Sequence, residues 1–92
     1  MCRNIKPLFN FDPPTSAEDV RASALQYVRK VAGFTRPSRA NEAAFNHAVE
    51  AVSAITSELL GALVTEAPPR SRELHIQRAR ERAARRYGRA TG

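Results

Sequence analysis

The chain has 92 residues, 42% of them hydrophobic and 26% charged, with a formal net charge of +6. This is the composition of one small globular domain with a modest core. It excludes a membrane span, because no apolar run reaches about 20 residues, and an internal disulfide, because Cys2 is the single cysteine.

The N-terminus lacks the apolar core of a secretory signal, so a reducing, cytoplasmic setting is expected. The charge is uneven. Residues 1–69 carry seven basic and seven acidic side chains, whereas residues 70–92 carry eight arginines against Glu73 and Glu81. A base-composition bias explains arginine over lysine, but it does not explain the clustering.

Taken in order, residues 1–14 form a non-helical segment rich in apolar and aromatic side chains (Ile5, Leu8, Phe9, Phe11), closed by Pro13-Pro14. Thr15 with Glu18, or Ser16 with Asp19, makes a capping box for a first helix over about 16–32. Gly33 suits its left-handed close. Val20, Ala24, Tyr27, Val28 and Val31 form its apolar stripe. "FTRPSRAN" reads as a loop, with Ser38 or Asn41 as the next N-cap. A longer second helix spans about 39–65, with Phe45, Val49, Val52, Thr56, Leu59, Leu60 and Leu63 on one face. Phe45, Val52, Leu59 and Leu63 are expected to be buried against Val20, Ala24 and Val31. "TEAPPRS" breaks the chain again, and a third helix over about 71–87 ends at Gly88. No segment alternates with period two, so no sheet is expected.

The fold read from these signals is all-α with three helices. Helices 1 and 2 make an antiparallel hairpin over 15–69, the N-terminal segment packs on it, and the Arg-rich helix and tail over 70–92 attach more loosely. All 92 residues form a single domain in this reading.

The third helix carries the most informative pattern. Arg78, Arg82, Arg85, Arg86 and Arg89 fall within a sector of about 100°, and His75 joins them. Like charges four apart repel by roughly 0.2–0.5 kcal/mol per pair, and a polyanion relieves that repulsion. Guanidinium forks match phosphate, which points to the backbone of DNA or RNA without sequence readout; an acidic protein is the alternative anion. A second cationic group, Arg29, Lys30, Arg36 and Arg39, brackets the first loop and suggests a secondary anion site.

Other chemistry is thin. With Met1 removed, Cys2 would present an amine and a thiol on one residue, and Arg3 and Lys6 would favour thiolate. Class II glutamine amidotransferases begin that way, but they need a far longer β-rich domain. Cys2 is therefore read first as a small packing residue, and only third as the centre of an enzyme or redox protein. His47 and Glu50 share a helical face, but two ligands do not close a metal site. No metal site, catalytic residue or cofactor is expected. Ala54, Ser57 and Gly61 line a face of the second helix where another backbone could approach. The apolar end near Leu60, Leu63 and Val64 suggests a homodimer, so an assembly module is the runner-up to a binding module.

Four stretches, "MCRNIKPLFNF", "ALQYVRKVAGF", "PSRANEAAF" and "LVTEAPPR", occur in this order. Together they resemble the small bacterial proteins of the domain of unknown function 2277 family. The resemblance covers about residues 1–88 and implies a short soluble protein. It brings no activity, substrate or cofactor with it.

Overall fold

The computed structural model describes residues 5–91, with side chains through Arg86. Cys2 and the side chain of Arg89 lie outside the described residues.

Helix α1 runs Ala17–Ala32. Ser16 caps it as the sequence predicts: the Asp19 amide donates to the Ser16 hydroxyl, and the Asp19 carboxylate accepts from the Ser16 amide. Gly33 closes the helix at φ 85°, and its amide donates to Arg29 at 2.9 Å. A side chain there would be strained, which is why glycine occupies the position. A 3₁₀ turn over Arg39–Asn41 leads into helix α2, Glu42–Ala62. The core of the hairpin is Ala24 and Val28 against Phe45 and Val49, with Leu25, Ala48 and Val52 packed at its edge. Phe34 in the connecting loop stacks on Phe45, with ring centroids 5.8 Å apart.

The lower half of the expected stripe is not core. Leu59 is 54% exposed, Leu63 43% and Val31 71%. The reason is length. At 1.5 Å per residue the 21 residues of α2 outrun the 16 of α1. Burial on α2 ends beyond the stretch that α1 covers, and Val31, near the loop end of α1, lines an open groove with Tyr27, Phe34 and Ala44. The α2 helix also stops sooner than periodicity suggests, since Leu63 is already extended.

One small parallel pair corrects the expectation of no sheet. Strand β1, Phe11–Asp12, lies beside β2, Arg70–Ser71. The pair is held from both sides. The Arg70 amide donates to the Asn10 carbonyl at 2.8 Å. Asn10, at φ 61°, directs its side-chain amide to the carbonyls of Ala67 and Pro68. Asparagine is one of the few residues that tolerate that left-handed conformation. Two residues per strand are too few for an alternation signal.

Helix α3, Arg72–Thr91, starts directly from β2, where the Ser71 hydroxyl accepts from the Leu74 amide. It passes through Gly88 instead of stopping there, because glycine permits a left-handed turn without compelling one. Helix-on-helix packing among the described residues is essentially that of α1 with α2. The molecule is a plate of 48 × 41 × 15 Å with a radius of gyration of 16.4 Å. A compact chain of this length has a radius of about 12 Å.

Candidate functional site

The start of α3 is fixed by a clamp around Phe11, which is buried. Arg70 lies 4.4 Å and Arg72 5.7 Å from its ring centroid. The His75 ring meets it edge-on at 5.2 Å. Arg70 also donates to the Phe9 carbonyl. Arg72 reaches the Pro13 carbonyl at 3.0 Å and the Asp19 carboxylate at 3.1 Å. Asp19 therefore serves twice, as the partner of Ser16 in the α1 capping box and as the anchor of α3. The Ser16 amide, with the Ser16 hydroxyl and the Arg72 guanidinium adding to it, holds the Asp19 carboxyl below the usual carboxylate range against the opposing effect of burial.

A lowered carboxyl pKa stabilises the folded state above the unfolded value, and that stabilisation is lost as pH falls through the folded value. The tie between α1 and α3 is thus expected to hold from neutral pH and to weaken below about pH 4. Asp19→Ala is expected to cost about 1–2 kcal/mol, kept low because a third of the side chain meets solvent. It should also flatten the acid limb of a thermal-stability profile. An unchanged acid limb would show that another carboxylate controls it.

Beyond the clamp, α3 presents its arginines to solvent. Arg78, Arg80, Arg82, Arg85 and Arg86 are all exposed. None of them is ion-paired among the described residues, where the ion pairs are Arg72 with Asp19 and Arg21 with Glu50. Glu81 is the acidic residue between them. Arg89 belongs to the same helix. His75 does not join this face in solvent, being half-buried against Phe11.

The loop cations are arranged differently. Arg29 and Lys30 line an open hollow of about 370 Å³ together with Gln26, Gly33, Phe34 and Thr35. The Arg29 Nε donates to the Thr35 carbonyl, so this side chain also shapes the loop. Arg36 and Arg39 are exposed and do not line the hollow. His47 is exposed, and Glu50 faces Arg21 in place of a metal partnership. Among the described residues there is no group of three His, Cys, Asp or Glu side chains able to hold a metal ion. Nor is any helix long and apolar enough to cross a membrane. A Cβ added at Gly61 would meet nothing within 4 Å among the described residues, so within the chain no other segment packs on that glycine.

Sequence reasoning missed that Arg70, Arg72 and His75 are structural. The turn-forming run Asn10-Phe11-Asp12-Pro13-Pro14 was the available signal, since such residues mark a chain reversal that needs partners.

Fold and surface together define a small helical-hairpin protein carrying a clamped, arginine-rich third helix. The chain belongs to the family described as Uncharacterized conserved protein (DUF2277), whose match covers residues 1–80. No curated protein and no solved structure matches it.

Proposed function

We propose that the protein is a non-enzymatic binding module that grips the phosphate backbone of DNA or RNA through α3. The observation that carries this reading is the run of exposed arginines, Arg78 to Arg86, without carboxylate partners among the described residues, on a helix held at one end. Repulsion along such a row is relieved by a polyanion. The clamp fixes where the row begins, so the arginines reach a backbone with less ordering cost than a free tail. Phosphate contacts of this kind position a protein without specifying sequence.

The test is a gel-shift titration at several salt concentrations. Unrelated duplexes should bind nearly equally. Engagement of about four phosphates gives a log–log salt slope near −3.6. Arg82→Ala should make the slope shallower by about one unit, whereas Arg39→Ala, on the loop, should leave it unchanged. Absence of binding to DNA and RNA at about 50 mM salt, with the protein folded, would defeat the proposal. An acidic-protein target would show itself as a discrete partner in pull-downs beside weak nucleic-acid binding.

A further inference from the structure

A second surface, independent of the arginines, is left open along α2. At about 100° per residue, Ala44, Ala48, Ala51, Ile55, Leu59 and Ala62 share an arc of about 80°. The core residues Phe45 and Val49 lie to one side of it. No charged residue falls on the arc. Its N-terminal half consists of alanines and borders an apolar groove of about 410 Å³, into which Tyr27, Val31, Phe34, Ala44, Ala48 and Val52 face. Its C-terminal half carries two large side chains, with Ile55 59% and Leu59 54% exposed.

The two halves complement each other. If a second α2 runs antiparallel across a two-fold axis near residue 53, Ala48 faces Leu59 and Ala51 faces Ile55, and each contact occurs twice. Large residues then meet small ones, which is how facing helices interdigitate. Leu59 of each copy enters the groove beside Ala44 and Ala48 of the other. A two-fold interface requires this kind of self-complementary patch.

The chain exposes 7493 Å², whereas a monomer of 10.2 kDa is expected to expose about 5,300 Å². Part of that excess lies on α3, which packs on no other helix among the described residues, and part on the α2 flank, where Ile55 and Leu59 stay more than half exposed. Two hairpins joined in this way make a four-helix arrangement with a shared core.

We infer that the protein is a two-fold homodimer in which the α2 flanks pack antiparallel, Leu59 of each copy seated in the α1–α2 groove of the other. This replaces Leu60, Leu63 and Val64 as the centre of association with the Ala48–Leu59 flank.

Sedimentation equilibrium of the full chain tests it. The wild type should be dimeric at about 100 μM, a concentration far above the Kd of a stable interface. Leu59→Asp should weaken dimerisation by roughly 100-fold or more, because a charge would enter an apolar groove. Its helical circular dichroism should stay intact when measured at the same dilution as the wild type, since Leu59 is exposed in the single chain. On a Cys2→Ser background, Ala51→Cys combined with Ile55→Cys should form an intermolecular disulfide under mild oxidation. A monomeric wild type at about 100 μM would overturn the inference, whether solvent or another protein meets the face. A dimer that survives Leu59→Asp would overturn it too, by placing the interface elsewhere. Neither result depends on whether α3 binds nucleic acid.

Discussion

Phe45→Ala is expected to destabilise the hairpin by about 3–5 kcal/mol, a large share of what a domain this small possesses. Phe45 is 8% exposed and touches both halves of the core: Ala24, Val28 and Val49 on one side and the Phe34 ring on the other. Truncation removes the stacked pair and opens a void continuous with the neighbouring groove. Few other large side chains are buried, so nothing nearby can collapse into the space. Urea unfolding followed by circular dichroism is the measurement. Leu59→Ala is the control, with an expected change below about 0.5 kcal/mol where the chain is monomeric, as for an exposed position. A loss below about 1 kcal/mol for Phe45→Ala would mean that the core lies elsewhere.

Phe11→Ala should act on a different unit. Phe11 is 6% exposed, and Arg70, Arg72 and His75 gather around its ring. Phe-to-Ala truncation at a buried site costs about 3–5 kcal/mol, and cation–π contacts add about 0.5–2 kcal/mol. The α1–α2 core contains none of these residues. The expected result is therefore local: α3 loses its attachment while the hairpin keeps its own. Amide hydrogen exchange separates the cases. Amides of residues 70–76 should exchange far faster in the variant, and those of Ala24, Val28 and Val49 should stay protected. Equal acceleration throughout would show one cooperative unit instead of two.

What the sequence made legible was what is local. The Ser16–Asp19 box and Gly33 act within a few residues, and both ends of α1 fall where those residues place them. Periodicity correctly put Val20, Ala24, Phe45 and Val49 on inward faces. It misplaced Leu59, Leu63 and Val31 because a period states which residues share a face, not what covers it. Coverage depends on the relative lengths of two helices and on where they cross. The row Arg78–Arg82–Arg85–Arg86 was readable for the same reason as the boxes, since it needs only one helix. Arg70, Arg72 and His75 read as part of that charge, yet they sit against a ring some sixty positions earlier. A pairing of two residues with two residues leaves no alternation to detect. The left-handed Asn10 that enables it is visible only as one turn-former among several.

That distance along the chain also orders the assembly of the molecule. The contacts of Asn10, Phe9 and Pro13 with Ala67, Pro68, Arg70 and Arg72 join residues 57 to 61 positions apart. Closing a loop of about 60 residues costs about 1.7 kcal/mol more in chain entropy than closing one of about 9, such as the α1–α2 connection. Contacts of short range therefore form first, and the hairpin zips before the two ends meet. On a ribosome the segment around Phe11 must wait until residues 67–72 are made before its own partners exist. The direction in which the arginine row projects is thus decided late in folding, by residues synthesised some sixty positions earlier.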